Sequence, residues 1–507
     1  MKNTTPSRRD FIARSSMWLA ALGVAPHIRI DLIEKWGKKL GIADNPLYAN
    51  DLSQNKAQFV IELVVRAGFP LDSIVAPRVD TLEGRVSMCA TDNTPEGRLA
   101  RRAAAHLPQS VTTFAGSNPG TNLYLTPWAS SLNSLVNDGT IGIAGCQAIL
   151  TNGGHQSNFA TRMVQTNSGQ INANGAPCPT IHFLDAMPKS TILGGVEWKQ
   201  NDNTTLNNRP AGFNALTRIS GGTNQSLVGG VMLSQQAQNF LGLFSPSVIP
   251  FSPSEANLIA SASEKLNKNY VTYRSMNNSD SVVATSRLGF DLLTRDFRAA
   301  LTPSAAEYSD WDMATSRGGV RLGESMNLLA KAFNMGLIRG ATITIDSGDW
   351  HNRAQNINFS DPSFNPDTTD YAVYGRTISN AIARLYTLAK TLPNPLVPGT
   401  SVADGLVVQL SSEFSRTFMN MDCNDHGDGG TNGIVIIGPT AKNISGANWD
   451  HQTGGTVSID RVSGQLDLGA PLFSTGSAYA TFCASLGIPA PSISRFTSES
   501  AILAMLK

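Results

Sequence analysis

The feature that most constrains the fold is the stretch 405–438, GLVVQLSSEFSRTFMNMDCNDHGDGGTNGIVIIG. Two apolar runs, residues 406–410 and 434–437, bracket a longer polar segment. Both runs are short, β-branched and nearly continuous. Strands buried on both faces of a parallel sheet have that pattern. Glu413, Arg416, Asp422, Asp425, His426 and Asp428 follow the carboxyl end of the first run. In open α/β sheets, ligands sit outside the carboxyl ends of strands. The segment therefore lies where such a fold places a site.

Within it, Asp425-His426-Gly427 joins a carboxylate to an imidazole, and both are ligands for divalent metals. Gly427 relieves backbone crowding beside them. The triplet also reads as a plain turn, because Asn, Asp and Gly form turns for local reasons. A second strand exit repeats the pairing. The apolar run 341–345 leads into Asp346-Ser347-Gly348-Asp349-Trp350-His351. The chain holds only 7 histidines, and two of them fall near an Asp at such exits. That recurrence raises the site reading to the level of the turn reading.

The flanking pattern gives the fold class. Residues 324–336 have helical spacing and end at a glycine, and residues 371–392 form a second helix. Helix, strand, helix, strand with short connections is the mark of a parallel α/β sheet. Further strands are expected at 57–67, 141–144 and 180–184, and helical spacing at 128–137. The first of these strands exits into Gly68-Phe69-Pro70-Leu71-Asp72-Ser73. Beyond the second lies a glycine-rich loop that carries Ser157. The pattern weakens over about 197–321, which reads as an insertion or cap of mixed helices, with helical stretches near 234–243 and 254–266. The chain thus divides into a leader and linker, 1–49, and one domain, 50–507, interrupted by that insertion.

The leader is read from Ser7-Arg8-Arg9-Asp10-Phe11-Ile12, which matches the twin-arginine signal pattern. The apolar stretch 17–25 after it is too short to span a bilayer. The expected route is twin-arginine export to the periplasm or outside the cell, with no transmembrane span beyond the signal. That route carries folded proteins, which suits a site loaded with metal beforehand. A net charge of +1 with 15% charged residues excludes a nucleic-acid-binding surface. The 5 cysteines include no CxxC pair, which excludes a zinc ribbon or a thioredoxin-like site.

The chain resembles the bacterial exported domain-of-unknown-function family 1501, within the alkaline phosphatase and sulfatase superfamily. The resemblance runs along most of the chain after the leader. The twin-arginine start fits it. Ser157-Asn158-Phe159 stands in place of the family's Ser-His-Phe, and Asp349-Trp350-His351, followed by Gln355, in place of Asp-Thr-His. Ser412-Glu413-Phe414-Ser415-Arg416 stands for Ser-Glu-Phe-Gly-Arg, and Asn424-Asp425-His426-Gly427 for Thr-Asp-His-Gly. The resemblance implies an alkaline phosphatase-like three-layer sandwich: a central, mostly parallel sheet with helices on both faces. It also implies that Asp349, His351, Asp425 and His426 are ligands of a two-metal centre.

Three departures accompany it. The family's first strand exits into Gly-Gly-Asn-Asp-Gly-Leu-Asn, whose Asp is a metal ligand. Pro70 occupies that position here and cannot coordinate, and Asp72 is the nearby substitute. Asn158 replaces the histidine of Ser-His-Phe, with His155 close by. The Asp-x-His and Gln spacing carries one extra residue.

Two divalent ions about 4 Å apart clamp the attacking and leaving oxygens of an in-line displacement. Carboxylate and imidazole ligands suit zinc or manganese. Ser157 is the candidate nucleophile, or else a turn serine. Arg416 is placed to bind a substrate's anionic oxygens, or else to pair with Glu413 at i,i+3. His451 is a third ligand at one metal or a loop residue. Two readings follow: a metal-dependent hydrolase of a small phosphate or sulfate ester, and a catalytically degenerate relative that binds an envelope or extracellular component.

Overall fold

The computed structural model describes residues 57–65, 69, 71–76, 111–118, 121–149, 179–186, 195–198, 232–234, 241, 254, 258, 297–345, 365–368, 370–412, 431–445, 457–459, 466–468, 473–489 and 501–507. In chain order the strands are β1 (Phe59–Val65), β2 (Val75–Ala76), β3 (Thr112–Asn118), β4 (Thr121–Leu125), β5 (Gly142–Ile149), β6 (Gly195–Trp198) and β7 (Met232–Ser234). They continue with β8 (Gly340–Ile345), β9 (Leu406–Ser412), β10 (Thr431–Gly438), β11 (Ile444–Ser445), β12 (Val457–Ile459), β13 (Leu466–Leu468) and β14 (Phe473–Ser474). The α-helices are α1 (Asn133–Asn137), α2 (Pro179–Ala186), α3 (Phe297–Leu301), α4 (Ala305–Asp310), α5 (Leu322–Asn334), α6 (Asp370–Thr391) and α7 (Thr475–Ser485).

All seven residues of β1 are buried, and the strand sits in the middle of a 9-stranded sheet. The order is β11-β5-β10-β9-β1-β8-β6-β7, with β14 also paired to β5. β1 runs parallel to β8 on one side and to β9 on the other. β6 is parallel to β8 and to β7, and β11 and β14 are parallel to β5. β10 alone reverses, antiparallel to both β5 and β9.

Successive side chains of a strand point to opposite faces, so a strand buried on both faces needs cover above and below. Phe59, Ile61, Leu63 and Val65 enter one core, together with residues of α5 and α6. Val60 and Val64 enter a second core, together with Phe183 and Leu184 of α2 and Ala478, Tyr479, Phe482 and Cys483 of α7. The result is three layers: helices, a mostly parallel sheet, helices. Phe59 and Phe333 illustrate the first core, with ring centroids 4.9 Å apart. α5 ends as its sequence suggests. Gly336, two residues beyond its last residue, has φ +67°, which glycine adopts without a Cβ penalty.

The strands expected at 57–67, 141–144, 341–345, 406–410 and 434–437 therefore all belong to one sheet. The helices expected at 324–336 and 371–392 form as α5 and α6. Residues 128–137 become a 3-10 turn, Pro127–Leu132, running into α1. Two expectations are corrected. Residues 434–437 lie in an antiparallel strand: β10 pairs beside β9, the described strand before it in the chain, and runs against it. Residues 180–184 are helical: Pro179 opens α2, where its missing N–H is no loss. A short apolar run does not by itself distinguish a buried strand from a buried helix. Within 197–321, Met232–Ser234 pairs with β6 at the edge of the central sheet, and α3 and α4 follow. The leader 1–49 lies outside the described residues. Among those described, no helix is long and apolar enough to cross a membrane.

Candidate functional site

The register of three strands defines one edge. Val65 at the end of β1 is the partner of Ile345 on β8 and of Ser412 on β9. Neighbouring strands lie about 4.8 Å apart, so the exits of β8 and β9, on either side of β1, are about 10 Å apart. β10 runs against β9 and therefore begins at this edge. Its Thr431 pairs with Ile149 at the end of β5, which exits there too. Segments 66–70, 150–178, 346–364 and 413–430 thus all start from one edge, the carboxyl edge of the parallel strands. In open α/β sheets that edge holds the ligand.

The candidate residues divide over these segments. Asp349 and His351 follow β8. Glu413, Arg416, Asp425 and His426 lie between β9 and β10, and Ser157 follows β5. All seven lie outside the described residues, as do Pro70, Asn158 and His451. The topology brings their segments to one edge and says nothing of their side chains. Asp72 sits in a 3-10 turn, Leu71–Ser73, that packs against α6 and β10. A Cβ on Gly375 of α6 would stand 3.0 Å from Ser73 O, so glycine lets the helix approach this turn closely. Thr126 Oγ1 donates to Ser73 O across 2.7 Å and holds the turn from its other side. The backbone at Asp72 is thereby fixed; its side chain lies outside the described residues. Among the described residues no group of three His, Cys, Asp or Glu could hold a metal ion.

The structure adds a row of buried polar groups that the sequence reading passed over. Glu62, in the middle of β1, is 1% exposed. Its register neighbours are Gln409 on β9 and Thr342 on β8, both buried. Thr180 of α2 donates its hydroxyl to Glu62 Oε2 over 2.9 Å. Arg339, just before β8, is 2% exposed and donates Nε–H to Gln58 O over 3.0 Å. Its guanidinium carbon lies 5.4 Å from the Phe183 ring centroid, a cation–π contact that suits a desolvated charge. Burial lowers the Arg339 pKa to about 10. One signal was visible in the sequence: a lone Glu interrupting the run FVIELVV. A buried charge is expensive unless paired or hydrogen-bonded, so it marks a designed contact. Cys146 and Cys483 are free and buried, and burial pushes both thiols up, with Glu62 adding to the rise at Cys483.

No protein-family model matches the chain, and no curated protein sequence matches it. Among solved structures it is similar to the phosphonate monoester hydrolase of Agrobacterium radiobacter, at 10% identity and TM-score 0.32, covering 85% of this chain and 74% of that one. It is also similar to Ps i-CgsB in complex with k-i-k-neocarrahexaose, at 10% identity and TM-score 0.31, covering 88% and 75%. Ps i-CgsB alone gives 8% identity and TM-score 0.33, with the same coverage of 88% and 75%. Overlaps this partial carry no residue correspondence.

Proposed function

We infer that the chain is an exported member of the alkaline phosphatase and sulfatase superfamily that hydrolyses a phosphate or sulfate ester with a divalent metal. One observation carries this reading. The carboxyl ends of β1, β8 and β9 are register neighbours, and the segments beyond β8 and β9 each carry an Asp and a His. The donor set, Asp349, His351, Asp425 and His426, with Asp72 in place of the acid lost at Pro70, has the chemistry that zinc or manganese takes. Such a metal would supply Lewis-acid stabilisation of the anionic oxygens. Ser157 is assigned as nucleophile, Arg416 as the bidentate partner of those oxygens, and Glu413 as the group that orients Arg416. The test is metal analysis of the purified protein, coupled to hydrolysis of aryl phosphate and aryl sulfate esters. Stoichiometric metal with turnover lost on Ser157→Ala is the expected result.

Pro70 and Asn158 favour a second reading, a degenerate relative that binds an envelope component without catalysis. Protein free of metal and inactive on every ester would select it.

A further inference from the structure

Gln409 belongs to the buried polar row, and its hydrogen bonds fix the orientation of its amide. Nε2 donates to Phe482 O over 2.9 Å and to Ser485 Oγ over 3.0 Å, both on α7. The Ser485 hydroxyl itself donates to Phe482 O over 2.8 Å, so Ser485 Oγ acts as an acceptor toward Gln409. A carbonyl oxygen only accepts, and turning the amide over would set two oxygens against each other. The orientation is therefore fixed with Nε2 toward α7, and Oε1 has no protein donor. Ser411, two residues on and on the same face, is also 0% exposed, and its Oγ has no partner either. Buried polar atoms left unmet cost at least as much as a lost hydrogen bond, and native structures seldom leave them so.

We propose that one ordered internal water bridges Gln409 Oε1 and Ser411 Oγ. Residues i and i+2 of a strand stand about 6.8 Å apart at Cα, a span that two side chains and one water close. The water donates to Gln409 Oε1 and accepts from the Ser411 hydroxyl. Its second hydrogen faces Glu62, the register neighbour of Gln409 on β1. A buried water with about three partners is the usual case. A cation would need a fuller oxygen cage, and Val64, Val407, Ile434 and Ile436 around this face are apolar. The water would tie the end of β9, immediately before the 413–430 segment, to α7 through Gln409.

A crystal structure of the whole chain that shows ordered solvent tests this. The expected result is a peak at hydrogen-bond distance, about 2.7–3.2 Å, from both atoms. A parallel measurement compares urea midpoints for Gln409→Met, Ser411→Ala and the double variant. Either change removes a partner of the same water, so the double variant should fall by less than the sum of the single falls. A dry site, a peak touching only one of the two atoms, or strictly additive falls would each overturn the bridge.

Discussion

Thr180 on α2 donates its hydroxyl to Glu62 Oε2 in the middle of the central strand, over 2.9 Å and away from solvent. The contact fastens the helix to the sheet, and the same helix follows directly on the 150–178 segment. Thr180→Val keeps the shape and removes the donor. It should destabilise the protein by about 1–3 kcal/mol, since a buried carboxyl oxygen loses a partner. Thr180→Ser keeps the donor and should cost less. Urea unfolding of the two variants checks this, and equal losses would show that the hydroxyl is not the cause.

Tyr386 holds the opposite edge. Its hydroxyl lies 2.8 Å from both Leu406 O and Ile437 O, where β9 begins and β10 ends. One hydroxyl hydrogen serves the two carbonyls, so Tyr386→Phe leaves both short of a donor. The expected loss is about 1–2 kcal/mol, read as a lower urea midpoint at unchanged slope.

The alkaline limb follows from the same burial. Desolvation raises the Tyr386 pKa well above its ordinary value of 10.0. The thiols of Cys146 and Cys483 rise from 9.0, again chiefly by burial. Above those ordinary values the unfolded chain releases protons that the folded chain keeps. The unfolded state then binds fewer protons, so stability falls as pH rises, by about 1.4 kcal/mol per pH unit for each such group. Among the described residues, Cys146 and Cys483 contribute to the slope between the thiol value of 9.0 and the phenol value of 10.0. Cys146→Ala should make the slope there shallower by its own share, up to about 1.4 kcal/mol per pH unit. An unchanged slope would mean that the thiol titrates alike in both states.

The acid limb has a different source. Glu307 caps α4, where Ser304 Oγ accepts from Glu307 N–H and Ser304 N–H donates back to the carboxylate over 2.8 Å. Lys331 and Asn327 of α5 bind the same carboxylate. Burial alone would raise the Glu307 pKa, but these donors outweigh it and lower the pKa from 4.5 to about 2. A depressed folded value stabilises above the unfolded value and is lost as pH falls, here between about pH 5 and 2. Glu307 is 28% exposed, so screening holds the contribution to about 1 kcal/mol. Glu307→Gln should lose less stability than the parent between pH 6 and pH 3, measured by urea midpoints.

The sheet was legible because its strands announce themselves chemically. The runs in β1, β9 and β10 are mostly apolar and β-branched, and each contributes side chains to both cores. Strand direction was not legible, because a hydrophobic run carries no polarity, and β10 pairs antiparallel on both sides. α2 was misread because Thr180 to Leu184 is too short a run to show its period. Glu62 escaped notice because one residue inside an apolar run looks like noise until its register neighbours Gln409 and Thr342 are known. The site was legible only as far as its edge. Strand exits follow from the periodicity, but the residues beyond them are rich in Gly, Ser, Asn and Asp, and no periodic pattern in them dictates a course.

The last prediction concerns metal. If Asp349, His351, Asp425 and His426 hold a divalent ion, removing it should lower stability by mass action. The loss is about 2.7 kcal/mol relative to protein at a free metal concentration of one hundred times Kd. A chelator should therefore lower the melting temperature of the parent, and added zinc or manganese should restore it. Asp425→Ala removes a ligand and should abolish the response to both treatments, with metal content falling in parallel. A turn residue without a metal would behave otherwise: the substitution would cost at most about 1 kcal/mol and leave the chelator response as it was. Asp72→Asn separates the two functional readings. Pro70 supplies no acid at the exit of β1, so a complete centre would draw one from Asp72, next in the chain to Ser73, whose carbonyl Thr126 holds. Loss of metal and of ester turnover in Asp72→Asn, with the urea midpoint of the chelated protein unchanged, would place that carboxylate in the centre. Retention of both would leave Asp72 outside it.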